Sequence, residues 1–299
     1  MMDELSTFTK KDLLKVLAML TLSDGHLYIH KGRPRTVRLV TSEYGKAQHS
    51  FFNLLCTKLF DRKIVTRIKK LENGKKIIIS DLNYQKGVSE LLLLSPTYKT
   101  TPGTQTKLEY LSSPQPTISF LLKSSEKVRW FCLRTYFDFD GSISPSIKLK
   151  SKKDRKKGKT YQYYQVQTEI EIKISETNPS LVRELVLLCE SLGLKARITK
   201  DKRNWIDISG ICISEKKSVK KFLEQGGSIT NVLISGKSKN FENISKKELS
   251  FKLLNLFDDQ EFSFSNSFST VEEAEGFRKS IKNKIYFQPT THWSPTHET

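Results

Sequence analysis

Apolar and polar residues alternate with a period of two along 141–150, GSISPSIKLK. Ser142, Ser144, Ser146, Lys148 and Lys150 fall on one side, and Ile143, Ile147 and Leu149 on the other. The stretch 161–174 repeats the pattern: Tyr163, Gln165, Gln167, Glu169 and Glu171 alternate with Val166, Ile170 and Ile172. A period of two is that of a strand with one packed face and one wet face. Before this pair, residues 125–139 form a helix-compatible run; after it comes ISETNPSLVRELVLLCESLG (174–193), in which Asn178-Pro179 marks a helix start.

The same order occurs earlier in the chain. A helix over 10–23, with Thr9 and Asp12 as a capping box, precedes strands over 25–31 and 35–41. The block 41–60 then aligns without a gap on 174–193, setting Leu54-Leu55-Cys56 against Leu187-Leu188-Cys189. Hairpins are expected over 67–82, where Asn73-Gly74 marks the turn, and over 197–211. Short helices follow over 83–93 and 214–224. Each half reads helix–strand–strand–helix–strand–strand–helix. The class is therefore α+β, with two pseudo-symmetric halves, each an antiparallel four-stranded sheet with helices on one face. The halves span 1–94 and 125–259. A Pro-, Thr- and Ser-rich linker (95–124) joins them, and 260–299 is an extension with one helix expected over 270–283, capped by Thr270 and Glu273.

The repeat brings two acids into correspondence. LAMLTLSDG (17–25) matches LRTYFDFDG (133–141), so Asp24 and Asp140 each end the first helix of a half, 116 residues apart. A helix C-terminus already carries partial negative charge, so a carboxylate there is unfavourable unless a cation offsets it. If the first helices pair about a pseudo-two-fold axis, both acids reach one point. Oxygen ligands there select a hard cation such as Mg2+, and such ions against a phosphate make a phosphodiester-cleaving site. Asp138 faces only Leu22 and is assigned a supporting role. The glycine after each acid is expected to stop the helix in a left-handed turn.

Composition narrows the partner. The chain has 299 residues, 51 Lys and Arg against 32 Asp and Glu, and a net charge of +19. That excess points to a polyanion, and nucleic acid is favoured over a membrane surface. No apolar stretch reaches the roughly 18 residues that span a bilayer, and MMDELSTFTKKD lacks the apolar core of a secretory leader. Four cysteines are scattered without a CxxC pair, which argues against zinc or disulfides. Residence in the cytoplasm at the nucleoid, or in an organelle matrix for an organelle-encoded chain, is the expectation. So is a monomer without a membrane partner.

The wet faces carry groups suited to base edges. In the first half these are His26, Tyr28, His30, Arg33, Arg35 and Arg38, extended by Lys69 and Lys75. In the second they are Ser142, Ser144, Ser146, Lys148, Lys150, Tyr163, Gln165 and Gln167, extended by Arg197 and Lys200. The stretch KSKKDRKKGKT (150–160), with seven Lys or Arg, is expected as a loop in which Lys152, Lys153 and Arg155 grip phosphates.

LAMLTLSDG and LRTYFDFDG resemble the two signature motifs of the LAGLIDADG homing endonucleases in their single-chain form. The resemblance covers roughly 10–258, and SPTYKTTP (95–102) is similar to the archaeal intron-encoded members. It implies a saddle-shaped sheet surface, double-stranded DNA cut on both strands at a long site, and Mg2+, which Mn2+ can replace. It also implies that Asp24 and Asp140 hold metal, helped by the backbone carbonyls of Ser23 and Phe139. The third and seventh motif positions, usually small, are Met19 and Ser23, then Thr135 and Phe139. A lysine near the scissile phosphate is expected, with Lys75, Lys76 and Lys216 as candidates. Two alternatives use the same surface: a splicing maturase acting on its own intron RNA, and a DNA-binding protein with a silent site.

Overall fold

The computed structural model describes residues 2–156, 159–234, 240–241, 244–259 and 262–286. A short helix, α1 (Met2–Ser6), leads into α2 (Lys10–Ser23), whose Thr9–Asp12 capping box forms as expected. Then follow β1 (Gly25–His30), β2 (Arg33–Ser42), α3 (Lys46–Phe60), β3 (Val65–Lys70), β4 (Lys76–Asn83) and α4 (Gln85–Leu92). The sheet runs β1-β2-β4-β3, antiparallel throughout. After a linker containing α5 (Lys107–Leu111), the second half repeats the order. It comprises α6 (Glu126–Asp140), β5 (Gly141–Lys156), β6 (Lys159–Ser175), α7 (Pro179–Ser191), β7 (Ala196–Lys200), β8 (Ile208–Ile213) and α8 (Lys216–Glu224), with sheet order β5-β6-β8-β7.

Three elements follow the repeat: α9 (Lys246–Asp258), β9 (Ser265–Phe268) and α10 (Val271–Ile285). Of these, only α10 was expected, and its Thr270–Glu273 capping box is present. β9 pairs with β6, from Gln167↔Ser265 to Tyr164↔Phe268, so the extension adds a fifth strand to the second sheet.

α2 and α6 pack together at the centre of one shared core, with Leu17, Met19, Leu20, Phe131 and Leu133 wholly buried. Met19 and Thr135, where small residues were expected, sit in this core without separating the helices. Two buried threonines of the pair turn back on their own helix. Thr21 Oγ1 donates to Leu17 O (2.7 Å), and Thr135 Oγ1 to Phe131 O (2.8 Å). Their donors are thus satisfied without a partner across the interface. The linker docks by hydrogen bonds: Tyr98 Oη to Leu91 O (2.9 Å) on one side, and Asn178 Nδ2 to Tyr110 Oη (2.8 Å) on the other.

The basic stretch 150–160 departs from expectation. The β5–β6 ladder continues to Lys156↔Lys159, so the Lys- and Arg-rich segment is strand rather than loop. Backbone pairing needs no apolar side chains, and the charged ones simply project from a solvated ribbon. Period two then separates them. Lys152 stays on the face of Lys148 and Lys150, while Lys153 and Arg155 fall on the opposite face, both exposed. The cysteines are all free and buried. Among the described residues no helix is long and apolar enough to cross a membrane.

Candidate active site at the foot of the helix pair

Asp24 is the C-terminal cap of α2, and Asp140 is the last residue of α6. The glycines that follow do not adopt left-handed turns. Gly141 is extended (φ −95°, ψ 160°), and neither it nor Gly25 has a positive φ. Their reason is space: a Cβ on Gly141 would lie 2.4 Å from Phe137 O, and one on Gly25 2.5 Å from Thr21 Cα. Each helix therefore runs straight into its first strand, with the acid fixed at the junction.

The neighbouring acids differ sharply. Asp138 is fully buried and saturated: Ser228 Oγ and Ile229 N (3.1 Å) donate to Oδ1, and Thr230 N (2.7 Å) to Oδ2. It fastens the 228–230 segment to α6, the supporting role expected of it. Asp24 and Asp140 are half-buried, and among the described residues neither carboxylate accepts a hydrogen bond. Burial pushes Asp24 up to about 6 against the pull of Lys246. Asp140 is pushed well above the usual carboxylate range by burial, then by Asp24 and Glu176, again opposed by Lys246. Close like charges in a desolvated site disfavour double ionisation.

Lys246 is the residue the sequence reading missed. It opens α9, behind the capping box of Ser245 and Glu248. Its Nζ donates to the carbonyls of Asp138 (2.7 Å) and Phe137 (3.1 Å), and Gln48 Nε2 also donates to Asp138 O (3.1 Å). Phe137 O also accepts from Gly141 N, whereas Asp138 O is one of the carbonyls that a helix end leaves without an intrahelical partner. Burial pushes the ammonium's pKa down, while Asp138, Asp140 and Asp24 hold it up. A cleft of about 470 Å³ opens here, lined by Asp24, Gln48, Phe139, Ser142 and Lys246 among others. Phe139, bulky for its motif position, forms part of this wall. Asp140 is not on the wall; its neighbours in charge are Asp24, Glu176 and Tyr136. The three lysines expected near the site, Lys75, Lys76 and Lys216, do not line the cleft, and Lys216 Nζ instead stands 4.5 Å over the Phe264 ring.

Among the described residues no group of three or more His, Cys, Asp or Glu side chains forms a metal cluster. Two carboxylates that accept no hydrogen bond among the described residues offer oxygen ligands, which fit a hard cation that keeps waters and takes its other ligands from phosphate, as Mg2+ does.

The two wet sheet faces carry most of the expected contact residues. In the first sheet His26, Tyr28, Arg38 and Lys69 share a face by register. Arg38 is largely spent within the protein: it chelates Asp81 (Nε–Oδ1 2.5 Å, Nη2–Oδ2 3.2 Å) and donates to Tyr28 Oη (2.8 Å). Arg67, passed over in the sequence, holds the same Asp81 (2.6 Å). His30 pairs with Arg33 at the strand ends, Arg35 is the extra residue of a bulge, and Lys75 lies in the β3–β4 turn. In the second sheet, Ser142, Ser144, Ser146, Lys148 and Lys150 stand opposite Lys173, Glu171, Glu169, Gln167 and Gln165, and Lys152 opposite Tyr163. Glu169 pairs Lys148, and Glu171 pairs both Lys173 and Arg197, so this face is less basic than its lysines imply. Lys200 follows a register shift at the end of β7.

Residues 127–227 match the family model of the LAGLIDADG-like domain. Solved structures resemble the chain at low identity. Mesophilic variants of the homing endonuclease I-DmoI align over 77% of this chain and 93% of theirs, at 14% identity and a TM-score of 0.44. I-DmoI in complex with DNA and Ca aligns over the same shares at 15% identity and 0.43. The homing endonuclease I-WcaI bound to its DNA recognition sequence aligns over 74% of this chain and 84% of its own, at 12% identity and 0.39. No curated protein matches by sequence. The chain is thus similar, over residues 127–227, to the LAGLIDADG-like domain, and the order of elements found there, helix–strand–strand–helix–strand–strand–helix, also occurs in the first half.

Proposed function

We propose that this chain is a site-specific endonuclease that hydrolyses both strands of double-stranded DNA with Mg2+ at a long recognition site. One observation carries the reading. Each pseudo-repeat delivers one unpaired, desolvated carboxylate, Asp24 and Asp140, to the foot of a shared helix pair between two basic sheets. Such a pair opposes folding unless it serves to hold a cation. The match of residues 127–227 to the LAGLIDADG-like domain supports the same reading.

Asp24 and Asp140 would hold the divalent ion, which supplies positive charge to the phosphate and an acidified water. The sheets align the duplex across the cleft through Lys148, Lys150 and Lys152 on one side and Lys69 on the other. Lys246 limits the repulsion between the acids and keeps the end of α6 in place. Hydrolysis at each strand forms one P–O bond to water and breaks one to the leaving sugar oxygen, so two cuts need two reaction events at this one centre.

The test is incubation of the full chain with Mg2+ and a randomised duplex library, followed by sequencing of the cut ends. One long motif, cut on both strands and lost in EDTA and in Asp24→Asn and Asp140→Asn, is the expected result. Cutting that survives both substitutions, or ends without a common motif, overturns the proposal.

A further inference from the structure

The extension after α9 carries a pattern of its own. In EFSFSNSFST, Phe262, Phe264 and Phe268 alternate with Ser263, Ser265 and Ser267. The phenylalanines pack inward: Phe264 lies 4.8 Å from Phe257, and Phe268 lies 5.1 Å from Phe277 of α10 (ring centroids). α10 packs on β5 and β6 and buries Ala274, Ile281 and Ile285. The serines are exposed, and register puts Ser265 and Ser267 opposite Gln167 and Gln165, on the face that carries Lys148 and Lys150.

A directed hydrogen-bond chain crosses three strands on that face. Lys150 Nζ donates to Gln167 Oε1 (2.6 Å), Gln167 Nε2 to Gln165 Oε1 (3.0 Å), and Gln165 Nε2 to Ser265 Oγ (2.9 Å). The direction fixes both amides, because the lysine can only donate and the chain ends on a hydroxyl that accepts. Each glutamine amide has two N–H groups and two acceptor lone pairs, and the chain uses one of each. What remains on each is one donor beside one acceptor, the pattern that pairs with adenine N6 and N7 in the major groove. Ser265, accepting from Gln165, keeps its own proton to donate.

We infer that β9 is a fifth reading strand, and that Ser265 is a positioning residue that holds Gln165 in the orientation that recognises base edges at one outer end of the DNA site. The inference rests on the DNA-binding reading of the sheets given above. Strand spacing of about 4.8 Å over two intervals, against about 3.4 Å per base pair, makes the segment so read about three base pairs long.

The experiment is selection of bound duplexes from a randomised library by the full chain, Ser265→Ala, Ser265→Thr and Gln165→Ala. Ser265→Ala is expected to lose roughly tenfold in discrimination over about three contiguous base pairs at one end, as Gln165→Ala does, with the rest of the motif intact. Ser265→Thr, which keeps the hydroxyl, restores it. The melting temperature of Ser265→Ala stays unchanged, because the side chain is exposed. A Ser265→Ala motif identical to the wild-type one, or a loss spread evenly along the site, overturns this inference alone. A wild-type chain that enriches no motif overturns the DNA-binding reading with it.

Discussion

Replacing Asp24 by Asn removes a charge that the folded chain holds at a cost. Its carboxyl lies at 3.8 in the unfolded chain and at about 6 in the folded one. The folded state therefore binds the extra proton between those values, and stability falls as pH rises from about 4 through about 6. At 1.36 kcal/mol per unit, ionised Asp24 opposes folding by about 3 kcal/mol at neutral pH, an upper value because the cleft admits solvent. With roughly 2 cal/mol/K of unfolding entropy per residue, that corresponds to about 5 °C for a chain of this length. Asp24→Asn also relieves Asp140, whose pKa Asp24 raises. The variant should therefore melt up to about 5 °C higher than wild type at pH 7.5 in EDTA, only about 2 °C higher at pH 4.5, and should not cut DNA. Differential scanning calorimetry at the two pH values checks it. A lower melting temperature at pH 7.5, or an equal gain at both, refutes the reasoning that this acid is held against its preference.

Asp138→Ala should do the opposite. It leaves Ser228, Ile229, Thr230 and Lys246 without their buried anion, at about 3–5 kcal/mol, and a loss under about 1 kcal/mol in urea unfolding would contradict the anchoring role. Lys246→Met removes the cation that holds the pKa values of Asp24 and Asp140 down. Ionising them then costs more, and melting in EDTA should fall more steeply between pH 5 and 8 than in wild type; an unchanged slope counts against it. Lys152→Ala should weaken DNA binding at all sequences alike and lower the log–log salt slope by about 1; a shifted sequence preference in filter binding would show a base contact instead.

The repeat made the two acids legible, because Asp24 and Asp140 hold the same place in matched blocks and each sits where electrostatics disfavours it. Capping boxes at Thr9 and Thr270 marked helix starts because those bonds are local. Lys246 could not be found this way: its contacts lie 108 residues upstream and leave no spacing to read. The strand over 150–156 was hidden by charge, which reads as a loop although the ladder requires only backbone groups. The alternation in FSFSNSF was visible, but serine is a poor strand former and four paired residues make a weak signal. Gly25 and Gly141 were legible as necessary but not as to why, since crowding against the preceding turn appears only in three dimensions.

The pairing of α2 with α6 also sets when the centre can exist. Asp24 leaves the ribosome 116 residues before Asp140 and 222 before Lys246. At about 5–20 residues per second, the chain carries the first acid for roughly 10–45 s before the lysine that offsets the pair has been made. A chain made only that far has one half-site and no second sheet, so the proposed cutting centre is withheld until synthesis has passed Lys246.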